Sequence, residues 1–228
     1  MHHHGTPVLT VGLYGSFELR VEGGDWMTCR TAVVPAGVRY ELNLHGQPLG
    51  EYYPEPNVAS QFALTSLLTH ADQRDAVLVS QANGINFMRD WYEDRGSHEW
   101  VSHALAELIE CDARQRGRPS IDRRLAAVIT HLQAHPDDLT SADDLARRHH
   151  LSASRFRHLF SEQVGVPYRR YRMWNRLRAA MRIALAGGTL TDAAMAVGFS
   201  DSAHFAHNFR DTFGVTPSYV VNRIARVG

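Results

Sequence analysis

Residues 189–218, TLTDAAMAVGFSDSAHFAHNFRDTFGVTPS, decide the fold of half this chain. Thr189 opens a short run that ends at Gly198, and Ser200-Asp201 open a second that ends at Gly214. Small polar residues at the starts and glycines at the stops are the signals of two consecutive helices. Residues 139–168, LTSADDLARRHHLSASRFRHLFSEQVGVPY, follow the same plan. Leu139 to Ala146 correspond in kind to Leu190 to Ala196, Arg155 to Phe160 to His204 to Phe209, and Gly165 to Tyr168 to Gly214 to Pro217. The copies lie about 50 residues apart, and a duplicated helix-turn-helix accounts for all three matches.

Outward from the repeat, the helical signal continues. Asp122 is a candidate N-cap for a helix with Leu125, Val128, Ile129 and Leu132 on its buried stripe, and Pro136 lies beyond its end. Asp143 and Asp144 sit where a helix dipole favours acids. A third helix runs from near Ser152 to Gly165. Pro167 then starts a long one, stopped by Gly187-Gly188.

In a helix-turn-helix the first helix braces the second, whose exposed face enters the major groove. Leu145, Leu151, Phe156, Leu159 and Phe160 supply the brace in the first copy, and Ala194, Val197, Phe199, Phe205 and Phe209 in the second. That leaves Ser154, Arg155, Arg157 and His158 exposed on one candidate recognition helix, and Ser202, His204, His207 and Arg210 on the other. Arginine pairs with guanine, while serine and histidine donate to bases or phosphates. Ser152 and Ser200 at the helix starts, with Arg169 and Arg172 on the connecting helix, complete the candidate DNA-contacting set.

The charge is divided to match. Formal net charge is zero, yet residues 1–118 hold 9 Arg against 15 acids and residues 119–228 hold 15 Arg against 9. A cationic half suits a polyanion, because arginines neutralise phosphates and release counterions. The sequence contains no lysine, so this charge is all guanidinium.

Residues of about 121–222 resemble the DNA-binding domain of AraC/XylS-type transcription regulators. The most specific stretch is Ala193 to Phe205, followed by Phe209-Arg210 and Phe213-Gly214-Val215-Thr216-Pro217-Ser218; Tyr171, Arg176, Ala180, Phe160 and Gly165 also fit. The resemblance implies about seven helices with two reading heads, an operator in double-stranded DNA, RNA polymerase as a partner, and a homodimer. It also implies a transcription regulator, activator or repressor, rather than an enzyme, with no catalytic residues. His158 and His207 depart from the pattern, each standing where the family usually carries arginine. An imidazole holds less charge than a guanidinium near neutral pH, so weaker or more pH-sensitive contacts are expected there.

The first half reads differently. Val8 to Tyr14, Ser16 to Val21, Thr31 to Val34 and Tyr40 to Leu44 are β-type runs punctuated by turn residues, and the signal turns helical from about Ser60. Gly12 to Phe17, Gly24-Asp25-Trp26, Val33 to Val38 and Tyr52 to Pro56 resemble the cupin-like sensory barrels that often precede such DNA-binding domains. The barrel is short, so some strands are expected to be absent or supplied by a partner copy. Trp100 to Cys111 reads as an amphipathic helix whose Val101, Leu105 and Leu108 stripe needs cover from a second copy or from the barrel. Residues 112–119 read as a linker.

The expected fold is therefore two-domain α+β. Residues 1–111 form a short cupin-like β-barrel with trailing helices for sensing or dimerisation, and residues 120–228 form an all-α double helix-turn-helix domain. No cofactor is required; a metal ion or a small-molecule effector is the candidate occupant of the barrel. His2 and His4 are the only metal candidates, but the later cupin ligand position holds Tyr40, and a three-histidine site does not follow. The histidine run reads equally as a loose terminus or an appended tag. His4, Cys29 and Tyr40 are the candidate ligand contacts. Two cysteines, Cys29 and Cys111, make no disulfide framework. With no membrane-length apolar run and no leader pattern, a cytoplasmic location without membrane partners is expected. The alternatives are a metal-dependent cupin enzyme tethered to DNA, and a DNA-binding regulator without an effector.

Overall fold

The computed structural model describes residues 1–54, 64–68, 70–82, 86–94, 103, 105, 107 and 121–225. They fall into two compact units: Thr6–Ser120, and Ile121–Gly228 together with Met1–Gly5.

The first unit is built from β1 (Val8–Gly12), β2 (Phe17–Val21), β3 (Met27–Cys29), β4 (Thr31–Val34), β5 (Tyr40–Asn43), β6 (Leu49–Tyr52), β7 (Asp72–Arg74) and β8 (Val77–Ser80). One sheet has the order β6-β1-β4-β8-β7 and the other β3-β2-β5, with every pairing antiparallel. The alternation of β1 explains the layering. Val8 packs with Phe17, Leu19, Cys29, Val34 and Tyr40 on the face toward the second sheet. Leu9 and Val11 pack on the opposite face with Val33, Leu64 and Met88. Met88 belongs to α1 (Asn86–Asp94), so β1 is covered on both sides. The architecture is two packed sheets of cupin-like form rather than a closed barrel.

Three strand segments depart from the sequence reading. β3 and β6 are short, and the β7–β8 hairpin lies where helix was expected. Asp72, Gln73 and Arg74 are all exposed on a sheet edge, so no apolar alternation marks them. Their turn, Asp75-Ala76, lacks glycine; Asp75 itself adopts the left-handed φ of 47°. These strands supply from within the chain what the short barrel lacked. Of the helix expected over Trp100 to Cys111, His103, Leu105 and Glu107 are helical, and Leu105 is fully buried without a second copy. Val101, Leu108, Cys111 and the linker lie outside the described residues.

The second unit contains α2 (Arg123–Ala134), α3 (Ala142–Arg148), α4 (Ala153–Val164), α5 (Tyr168–Leu185), α6 (Leu190–Ala196), α7 (Ser202–Phe213) and α8 (Pro217–Ala225). The repeat is visible in its caps. Ser141 and Thr189 accept from the backbone N–H of Asp144 and Asp192, starting α3 and α6. Ser152 and Asp201 accept from the N–H of Arg155 and His204, starting α4 and α7. Such caps satisfy helix donors that have no partner within the helix. The aromatic cores also correspond: Phe156, Phe160, Tyr168 and Tyr171 in one copy, Phe199, Phe205, Phe209 and Phe213 in the other.

The turns differ in one residue. Gly198, between α6 and α7, has φ 81°, while the matching position between α3 and α4 is His150 at φ 55°. A side chain in this region costs about 1–2 kcal/mol, a cost His150 already bears. Gly198→Ala is expected to destabilise the protein by about 1–2 kcal/mol, and His150→Ala by under about 0.5 kcal/mol, in urea unfolding monitored by circular dichroism.

Candidate nucleic-acid interface

α4 and α7 each bury one face and present the other. On α4, Phe156, Leu159 and Phe160 are buried while Ser154, Arg155, Arg157 and His158 are exposed. On α7, Phe205 and Phe209 are buried while Ser202, His204, His207 and Arg210 are exposed. The sequence-predicted faces are thus brought together, one on each head. Ser152 contributes as the cap of α4, and Ser200 donates to Asp201, the cap of α7. Arg157 is held by Asp143 of the bracing helix α3, and His158 lies 3.8 Å from Glu162 one turn on. Arg155 and Arg210 carry no hydrogen-bonded side-chain partner among the described residues and stand ready for phosphate or base contacts.

α5 joins the heads, and its arginines divide between surface and interior. Arg169 and Arg170 are exposed, but Arg172 and Arg176 point into the domain. Arg172 donates to the carbonyls of Leu139 (3.0 Å) and Thr140 (3.2 Å) and lies over the Tyr168 ring. Arg176 is buried, donates Nε to the Val197 carbonyl at 2.8 Å, and stacks 4.2 Å from the Phe199 ring centre. Asn175, also buried, donates to the Leu132 carbonyl at 2.6 Å. The long helix uses these polar groups to hold helix ends and turns, so Arg172 positions a head rather than standing free for DNA. Their signal in the sequence was faint: Asn175 and Arg176 fall on the stripe that Tyr171, Trp174 and Leu177 mark as buried.

A helix-turn-helix domain family matches residues 145–223, both heads and the helix between them. This half of the chain thus carries a helix-turn-helix domain of that family. RhaS of Escherichia coli, a transcriptional activator, is 31% identical over 53% of this chain and 44% of its own length. The probable transcriptional regulator LumQ of Photobacterium leiognathi is 24% identical over 95% of this chain and 90% of its own. The chain thus spans nearly all of one relative and under half of the other. Among solved structures, ToxT of Vibrio cholerae with bound unsaturated fatty acid superposes at a TM-score of 0.59, covering 96% of this chain and 88% of that one at 12% identity. That likeness shows a shared two-domain fold.

Outside the two heads, the candidate ligand residues separate. Cys29 and Tyr40 lie in the β unit, both fully buried. Burial pushes the Cys29 thiol up to about 12, which keeps it protonated and a poor metal ligand. His2 and His4 belong instead to the helical unit. His4 is buried against His2 and Phe213, with ring centres 5.1 and 5.6 Å away. A Cβ on Gly5 would sit 2.5 Å from Trp174 Cβ, so only glycine permits this approach. The histidine run is therefore packed structure rather than a loose end. No cluster of three His, Cys, Asp or Glu fit to hold a metal occurs among the described residues. A cleft of about 260 Å³ opens in the β unit between Trp26, Thr28, Asp72 and Arg74.

Two outcomes are expected from these contacts. Arg176→Ala should cost about 2–3 kcal/mol, the worth of a charge-assisted hydrogen bond left unmade on a buried carbonyl, and should weaken DNA binding though Arg176 does not face DNA. Urea unfolding and a gel-shift titration measure the two effects. Burial, then the neighbouring His2 and His3, hold His4 well below its usual 6.5. The unfolded chain therefore takes up a proton first, and stability falls as pH drops from about 6.5 toward the folded value. The wild-type Tm is expected to decline over that window more steeply than that of His4→Phe, read by differential scanning fluorimetry.

Proposed function

We propose that this chain regulates transcription by setting its two heads into successive major grooves on one face of an operator, with the β unit sensing a small effector. The observation that carries the reading is the pair of matched recognition helices, each capped and braced alike, on one helical spine. Arg155, Arg157, Arg169, Arg170 and Arg210 supply charge, and Ser154, Ser202, His204 and His207 supply donors for bases. Half-sites one helical turn apart, about 34 Å, suit such a pair. The naming of RhaS and LumQ as regulators supports the reading, and the fatty acid bound to ToxT supports an effector role for a β unit of this fold. The proposal extends to a cytoplasmic protein that pairs two copies and, as an activator, touches RNA polymerase.

Selection of bound fragments from genomic DNA tests it. A motif with two half-sites about 10 base pairs apart is expected; a flat profile without sequence preference would sink the proposal. The His158→Arg and His207→Arg double variant should bind its operator more tightly at pH 8. Its plot of log K against log salt should steepen by up to about two, one for each added phosphate contact.

A further inference from the structure

The helical period divides the outward face of each recognition helix into a centre and two flanks. On α4 the buried Phe156, Leu159 and Phe160 lie opposite Ser154 and His158. Arg155 and Arg157 fall on opposite flanks, about 160° apart at about 100° per residue. The Arg157 flank meets the bracing helix α3, where its Nη2 donates to Asp143 Oδ1. Both side chains remain more than half exposed, at 57% and 54%. Such an exposed pair adds little to stability; its effect is on where the guanidinium is held. The other N–H donors of Arg157 have no hydrogen-bond partner among the described residues, and Asp143 has no second cation there.

The duplication supplies a comparison within the chain. Counted from the caps Ser141 and Thr189, Asp144 matches Asp192, and both carboxylates accept from the cap hydroxyl at 2.7 Å. Starting a helix accounts for these two acids in both copies. By the same count Asp143 matches Thr191, while Arg157 matches Ala206 along the recognition helices. Acid and arginine are present together in one head and absent together from the other. No cap needs Asp143; what it touches is Arg157.

We infer that Asp143 is a positioning residue that fixes Arg157 to read one guanine, a contact the second head does not make. Guanine recognition takes two parallel N–H bonds, to O6 and N7, and so needs an oriented planar fork. A free arginine loses rotamer freedom when it is held in that pose, whereas a tethered one is already ordered. The carboxylate occupies one of five donors, and two of the rest suffice for the base. It also offsets the charge that would draw the side chain to a phosphate. Arg155 and Arg210, which lack such a hydrogen-bonded partner, suit phosphates instead. At the matching place Ala206 offers only a methyl group, suited to a thymine methyl rather than to guanine. The inference rests on the reading of the heads as DNA-binding, and it names a base that the first one selects.

The test is selection of bound sequences from a random DNA library by the full chain and its variants. Arg157→Ala should erase a guanine preference at a single position of one half-site, which identifies the base it reads. Asp143→Ala should weaken that preference about tenfold and leave the rest of the motif unchanged. On non-specific DNA the same variant should steepen the plot of log K against log salt by up to about one, as the freed Arg157 reaches a phosphate. In the Arg157→Ala background, Asp143→Ala should change neither quantity. Asp144→Ala disturbs the start of the same helix without touching Arg157, so it should lower Tm and keep the guanine preference. Asp143→Asn removes the charge at constant shape and decides the matter should Asp143→Ala misfold. An undiminished guanine preference in the Asp143 variants, an equal loss in Asp144→Ala, or a motif that Arg157→Ala leaves intact would overturn the inference. A wild-type profile without any sequence preference would strike the regulator reading instead.

Discussion

The carbonyl of Val197, at the end of α6, has no partner within its own helix, and the buried guanidinium of Arg176 supplies one. The orientation of the second head depends on this contact. The turn from α6 to α7 is held from beneath at Val197 and Phe199, and the exposed face of α7 is aimed accordingly. The same device recurs along α5. Tyr168 and Arg172 hold the Thr140 carbonyl ahead of α3, and Asn175 holds Leu132 near the end of α2. One helix thus satisfies the acceptors of its neighbours with side chains that would otherwise be costly to bury. Removing Asn175 or Arg176 leaves a carbonyl without that donor, which is costly where no water replaces it.

The helical half was legible because its signals are local. Caps at Ser141, Ser152, Thr189 and Asp201 act within three residues, and the apolar spacing of Phe156, Phe160, Phe205 and Phe209 follows the helical period. The β half depends on pairings between distant residues, such as Thr31 with Ser80, that no local pattern carries. The edge strand at Asp72 was hidden for that reason. The His2 to His4 run was ambiguous because burial by a distant helix end leaves no trace in neighbouring residues. Arg172 was read as a DNA contact because charge alone does not reveal which arginines hold the backbone of their own fold.

The two heads share a scaffold but not a chemistry. The first presents Arg155 and Arg157, with Arg157 resting on Asp143; the second presents His204 and His207 with Arg210 alone as a permanent cation on its exposed helix face. Duplication preserved what the backbone needs, namely caps, turns and aromatic cores, and left the solvent-facing positions free to diverge. The absence of lysine sharpens the contrast, since each cationic side chain is then either a planar fork or an imidazole.

α5 is a continuous helix of 18 residues whose buried side chains belong to the cores of both copies. It leaves no joint between the heads. A tethered pair would follow a lengthened site by swinging on its linker, but a pair on one spine carries a fixed angular phase. Each base pair added between half-sites turns the second groove by about 35° around the duplex axis, given 10–10.5 base pairs per turn. Between the heads the described residues offer no break in the helix to absorb that rotation, so the DNA must take up the twist itself.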